Sequence, residues 1–115
     1  MSDVKVDTVR SRSSGVVGRA ISNARNHYFI LDSSTAPEAL SNSEAFLAAV
    51  SSCGVTLVEG HALDKGVPLQ RMEVSIEGAR AVAEPNRFQR VTMRFALHGV
   101  DQATAEALIE TYKSR

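Results

Sequence analysis

The sequence predicts an α+β fold built on antiparallel sheet, and three observations carry that reading. Strand-like alternation fills the first third of the chain and returns after Pro68. Between the two regions lies one long apolar stretch with helix-start and helix-stop signals, and a short amphipathic stretch closes the chain. Segregated runs of strands and helices argue for antiparallel sheet packed on helices, not for a doubly wound βαβ arrangement. The 115 residues suit a single domain spanning 1–115.

In chain order, residues 4–12 (VKVDTVRSR) set Val4, Val6 and Thr8 against Lys5, Asp7 and Val9, the period-two pattern of a strand. Ser13-Ser14-Gly15 marks a turn. Residues 16–23 and 26–32 predict two further strands, the second rich in the aromatic and β-branched side chains that fit a pleated surface. Residues 33–38, polar and interrupted by Pro37, predict a loop.

The central stretch runs from Ser41 to Gly66. Ser41-Asn42-Ser43-Glu44 has the Ser-x-x-Glu spacing in which a serine oxygen and a glutamate each take an orphan N–H at a helix start. Residues 45–58 (AFLAAVSSCGVTLV) are apolar or small on every side, which predicts a helix buried all round. At fourteen residues the run is too short to span a bilayer. Lys65-Gly66-Val67-Pro68 supplies a cation, a left-handed position and a proline to stop it. Cys53, the only cysteine, sits in its middle. Gly54 and Gly60 each cost a helix about 1 kcal/mol relative to alanine, and point either to a bend or to the close approach of a partner helix.

Residues 69–82 alternate Met72, Val74 and Ile76 with Glu73, Ser75 and Glu77, and residues 88–98 alternate Val91, Met93, Phe95 and Leu97 with Arg90, Thr92, Arg94 and Ala96. Around the turn Glu84-Pro85-Asn86 these predict an antiparallel hairpin whose dry face covers the helix. After Gly99, Asp101 is a helix N-cap, and Ala105, Leu108, Ile109 and Tyr112 form a core-facing stripe. The last residues to Arg115 carry no C-cap signal, as if the helix were cut in mid-course.

Thirteen Lys and Arg balance thirteen Asp and Glu, so no net field draws the chain to nucleic acid or an anionic membrane. The first 25 residues are locally basic, with Lys5, Arg10, Arg12, Arg19 and Arg25 against Asp3 and Asp7. With no signal peptide and no CxxC pair, the reading is a cytoplasmic protein of a reducing compartment. His27, His61 and His98 lack metal-ligand spacing, so neither a metal nor another cofactor is expected. A helix walled on all sides asks for more cover than so short a chain provides, and oligomerisation is the expected remedy.

The run Asn42-Ser43-Glu44-Ala45-Phe46-Leu47-Ala48-Ala49-Val50-Ser51-Ser52-Cys53 resembles the signature of the OsmC/Ohr family of thiol-dependent hydroperoxide reductases, in which a Pro-x-Glu-Leu-Leu-Leu-Ala-Ala-Leu-like opening leads to a helix bearing the reactive cysteine. The resemblance continues through Lys65-Gly66-Val67-Pro68-Leu69, the Glu73-x-Ser75-x-Glu77-Gly78 strand and Phe88-x-Arg90-Val91, and upstream through Arg25 to Asp32. It implies an intimate homodimer with cysteine helices at the centre and sheets wrapped around them. It also implies reduction of organic hydroperoxides through Cys53, with an external thiol as reductant and a role in stress defence.

A thiolate is the attacking species in such chemistry, and burial by itself works against it. The helical neighbours of Cys53 at i±3 and i±4 are Ala49, Val50, Thr56 and Leu57, none a cation or a base. Activation must therefore come from another segment or subunit, with Arg12, Arg19 and Arg25 as candidates. The resemblance implies an arginine paired with a glutamate: Arg25 first by motif position, Arg19 second, and Glu44 as partner. Two departures stand beside this. The hydroperoxide-reductase branch carries its glutamate one position earlier, where this chain has Ser43, and Glu44 reads equally as a capping-box residue. On one straight helix, moreover, nine residues are about 13–14 Å of rise, so Glu44 and Cys53 of the same helix do not touch. The family's second cysteine, usually in a Cys-Pro pair on the final helix, is missing. Either the chain is cut short, or an external thiol resolves the oxidised cysteine, or peroxidase activity has been lost.

Leu47, Val50 and Leu57 are the expected substrate-pocket residues. The same three suit the competing reading, a non-catalytic OsmC-like module that binds a lipid-like ligand at the dimer interface. A lone cysteine is by itself more often a small core residue than a nucleophile.

Overall fold

The computed structural model describes residues 3–33 and 36–113. The elements are β1 (Arg10–Ser13), β2 (Arg19–Ala24), β3 (His27–Asp32), α1 (Asn42–Asp64), β4 (Arg71–Ala79), β5 (Arg90–His98) and α2 (Gln102–Lys113). This is the predicted α+β order, with one three-stranded and one two-stranded antiparallel sheet among the described residues. Ser34 and Thr35 of the expected loop, and Ser114 and Arg115 at the chain end, lie outside the described residues. The chain falls into two compact units, divided between Phe46 and Leu47.

The first unit holds the sheet β1-β2-β3. Its β2–β3 turn is only Arg25-Asn26, both at positive φ (52° and 67°), the backbone of a tight hairpin loop whose twist matches that of its strands. The predicted strand over 4–12 is corrected to Arg10–Ser13. The residues alternate as expected, but Arg10 already lies opposite Asn23, and β2 turns back one residue later. A strand pattern without a neighbour has no ladder to join.

In the second unit the hairpin pairs Met72 with Leu97, Val74 with Phe95 and Ile76 with Met93, so the two dry stripes share one face. Val58, Ala62, Met72 and Leu108 form the buried core, flanked by Val55, Val67, Leu69, Val74, Phe95, Leu97 and Tyr112. Helix α2 starts on its predicted cap, with the Thr104 N–H donating to Asp101 Oδ1 at 2.8 Å, and the Thr104 side chain together with this N–H holds the Asp101 carboxyl below its ordinary pKa. Helix α1 ends as the Gly66 signal predicts. Gly66 has φ +67°, its N–H donates to Leu63 O, and the Val67 N–H reaches back to Ala62 O, the paired bonds of a Schellman motif.

Its own chain covers helix α1 on one side only. In α1 only Gly54, Val58 and Ala62 are buried, while Ala48, Ala49, Ser52, Cys53, Thr56, Glu59 and Gly60 are exposed. An apolar circumference says that a helix can be covered all round, not that its own chain is large enough to do so. Gly54 marks close approach within this unit: a methyl there would sit 3.4 Å from Met93 Cε, 3.5 Å from Phe95 Cε2 and 3.6 Å from Tyr112 Cζ. Over its 23 residues α1 is long and apolar enough, by length and composition, to cross a membrane. Val58 and Ala62 are nevertheless packed in the core described above.

Candidate functional site

Cys53 lies in the middle of α1, on its exposed side. The Thr56 hydroxyl donates to the Cys53 carbonyl at 3.3 Å, and the Ser51 hydroxyl to the Ala48 carbonyl at 3.1 Å. These short polar side chains thus bond back onto their own helix, and the surface beside the thiol is made of small groups. Leu47, Val50 and Leu57 are half-buried on the same helix. The Tyr112 hydroxyl donates to the Val50 carbonyl at 3.4 Å and also lies 3.7 Å from Met93 Sδ, tying α2 and β5 to the turn of α1 that precedes Cys53.

Glu44 forms the capping box that its spacing predicts. The Ser41 N–H donates to Glu44 Oε1 at 2.9 Å, and the Glu44 N–H donates to Ser41 Oγ at 3.0 Å. These bonds, the Ser41 backbone N–H first among them, pull the Glu44 carboxyl below its ordinary pKa. Helix α1 runs unbroken from Asn42 to Asp64, so the rise between Glu44 and Cys53 is the about 13–14 Å of a regular helix.

Arg19 lies at the start of β2, directly opposite Asp32 at the end of β3. Its Nε donates to Asp32 Oδ1 at 2.7 Å and its Nη2 to Oδ2 at 3.0 Å, a bidentate pair, and Nη2 also meets Glu38 Oε1 at 2.7 Å. Asp32 is completely buried. It accepts two more hydrogen bonds, from the backbone N–H groups of Glu38 (3.0 Å) and Ala39 (2.7 Å). A buried carboxylate is tolerable only with such a full set of donors. Its pKa is lowered to about 2, with the Arg19 hydrogen bond the largest cause; the Arg19 pKa is raised in turn. Reading along the chain missed Asp32 and Glu38. The available signal was an aspartate closing the apolar run Tyr28-Phe29-Ile30-Leu31, where a charge needs a partner.

Arg25 is exposed in the β2–β3 turn. A left-handed backbone is uncommon for any residue except glycine, with asparagine and aspartate next, so Asn26 suits its place and Arg25 does not. Such outliers gather at functional sites. Among the described residues, no group of three or more His, Cys, Asp or Glu side chains converges to hold a metal ion.

The sequence matches no protein-family model, and no curated protein matches it. Its structure matches solved ones closely. An OsmC-like protein from Mycoplasma pneumoniae superposes with a TM-score of 0.84 at 12% identity, over 96% of this chain and 82% of that one. The organic hydroperoxide resistance protein OhrB of Bacillus subtilis superposes with a TM-score of 0.68 at 14% identity, over 96% and 84%. An organic hydroperoxide resistance protein from Elizabethkingia anophelis gives 0.72 at 14% identity, over 99% and 85%. The chain therefore has the OsmC-like fold.

Proposed function

We propose that this chain, with the fold of OsmC-like and organic hydroperoxide resistance proteins, is a thiol-dependent peroxidase that reduces organic hydroperoxides through Cys53. One observation carries the reading: the only cysteine stands exposed on the uncovered, small-residue side of α1 instead of being packed in the core. In the reaction the Cys53 thiolate attacks the outer oxygen of ROOH. An S–O bond forms, the O–O bond breaks, and the alkoxide leaves as ROH after taking up a proton. The resulting sulfenic acid condenses with an external thiol, expelling water, and a second thiol releases the mixed disulfide. The sum is ROOH + 2 R′SH → ROH + H2O + R′SSR′.

An uncovered apolar helix face is also what supports the homodimer, with the cysteine helices at its centre. In that assembly Leu47, Val50 and Leu57 line the pocket for the alkyl group. The activating cation is Arg25, whose disfavoured backbone position supports a functional role. Arg19 is the second candidate, although two carboxylates already share its charge. Glu44 orients the arginine. The reaction belongs to the cytoplasm, where thiol reductants are supplied.

The test is thiol-dependent turnover by the full chain, with cumene hydroperoxide as substrate and dithiothreitol as reductant. Turnover that disappears in Cys53→Ser supports the reading. A rate equal to that of dithiothreitol alone overturns it and leaves the lipid-like binding module.

A further inference from the structure

One face of the N-terminal sheet carries polar groups that the chain itself does not use. Arg10 stands opposite Asn23, and Asn23 opposite Tyr28. Residues opposed across antiparallel strands share a face, so these three form a row across β1, β2 and β3. Beside it lies a second row of Arg12, Ile21 and Ile30. Beyond that comes the Arg19–Asp32 pair, whose charges are matched.

The first row is not matched. Asn23 Oδ1 is buried with no hydrogen-bond partner among the described residues. Among the same residues, none bonds to the Arg10 guanidinium or the Tyr28 hydroxyl, and neither Arg10 nor Arg12 has a carboxylate partner. Arg12 Nη1 reaches only the Ser13 carbonyl, at 3.5 Å. Buried polar atoms in folded proteins are nearly always paired, so the exception at Asn23 asks for a physical cause. The two rows enclose a concavity of about 360 Å³, walled by Arg10, Arg12 and Tyr28 over Ile21 and Asn23. Small-molecule sites span roughly 300–1,000 Å³, and this one falls at the small end.

Charge and shape select the ligand. Two arginines two residues apart on a strand rise from the same side, about 7 Å apart at Cα, so one carboxylate can accept from both guanidinium forks. Tyr28 is 66% exposed, and its ring with Ile21 offers a flat apolar body a surface to lie on. Asn23 Oδ1 calls for an O–H or N–H donor on that body, which a turn of the amide brings within reach.

We propose that this face binds a small aromatic carboxylate bearing a ring hydroxyl or amino group. The carboxylate sits between Arg10 and Arg12, the ring lies against Tyr28 and Ile21, and the ring donor meets Asn23. The site lies wholly within the first unit and does not rest on the hydroperoxide chemistry at Cys53.

The test is an NMR titration of the full chain with 3-hydroxybenzoate, following backbone amide shifts. Shifts confined to β1, β2 and β3, saturating at one ligand per chain, are expected. Acetate, which lacks the ring, and 3-hydroxybenzyl alcohol, which lacks the charge, are each expected to bind at least about tenfold more weakly. Arg10→Gln and Arg12→Gln are each expected to weaken 3-hydroxybenzoate by at least about tenfold, while Arg71→Gln, the same loss of charge on β4, leaves it unchanged. Shifts gathered on α1, equal binding of acetate or the neutral alcohol, or undiminished affinity in both arginine variants would overturn the proposal. Benzoate binding as tightly as 3-hydroxybenzoate would overturn the role given to Asn23. The shift map needs no variant, so a substitution that fails to fold leaves the test intact.

Discussion

The guanidinium of Arg19 lies side-on to the completely buried carboxylate of Asp32, with Nε–Oδ1 2.7 Å and Nη2–Oδ2 3.0 Å. By accepting the backbone N–H groups of Glu38 and Ala39 the same carboxylate shapes the segment that enters α1. Removing Arg19 leaves the buried Asp32 without its counter-charge, and removing Asp32 leaves the partly buried Arg19 with only the exposed Glu38. Asp32→Asn is therefore expected to lower Tm by roughly 10–20 °C. The pH dependence has a fixed sign. The folded-state pKa, about 2, lies below the ordinary 3.8. The stabilisation is thus complete above about pH 4 and is lost as pH falls from there toward 2. Acid titration of Tm should show this loss in the wild type and a shallower slope in Asp32→Asn.

The Ser41–Glu44 capping box separates stability from chemistry at Glu44. Ser41→Ala removes the hydroxyl that accepts the Glu44 N–H and should cost about 1 kcal/mol in urea unfolding. Glutamine at this position can still accept from the Ser41 N–H. Glu44→Gln is accordingly expected to keep the stability of the wild type and to lose peroxide turnover. Unchanged turnover would confine Glu44 to capping.

Arg25 is the residue whose backbone conformation suits it least. Arg25→Asn is expected to stabilise the turn by about 1 kcal/mol, since asparagine accepts the left-handed region. The same variant should oxidise at Cys53 at least tenfold more slowly, if thiolate formation is followed by absorbance across a pH series. A stabilised variant with unaltered oxidation would shift the role to Arg19.

Two glycines of α1 respond differently to substitution. A methyl at Gly60 meets nothing within 4 Å, so Gly60→Ala should raise the stability of the chain by about 1 kcal/mol. At Gly54 a methyl fits at ordinary contact distance against Met93, Phe95 and Tyr112. A larger group does not, and Gly54→Leu should cost about 1–3 kcal/mol by overpacking. Thermal unfolding of the three proteins at one concentration checks the order.

The sequence was most legible where structure is local. The Ser41–Glu44 box, the Gly66 stop and the Asp101 cap each depend on residues within one turn, and all three form as read. The hairpin of β4 and β5 was legible because its alternation finds a partner a short loop away. The strand expected over residues 4–12 was legible as a pattern but not in extent, since its end is set by where β2 turns at Arg25 and Asn26. The Arg19–Asp32 pair joins residues thirteen apart in sequence through strand register, which alternation alone does not fix. The exposed side of Cys53 was hidden for another reason: an apolar run records what a helix can tolerate around it, not what its own chain supplies.

The most direct test is the rate and stoichiometry of Cys53 oxidation by cumene hydroperoxide and by hydrogen peroxide, followed with a sulfenic-acid trap and a Cys53→Ser control. The account predicts one trapped sulfenic acid per chain, faster oxidation by the bulky organic peroxide than by hydrogen peroxide, and no signal in the control. Oxidation no faster than that of a free thiol, with no preference between the two peroxides, would contradict it.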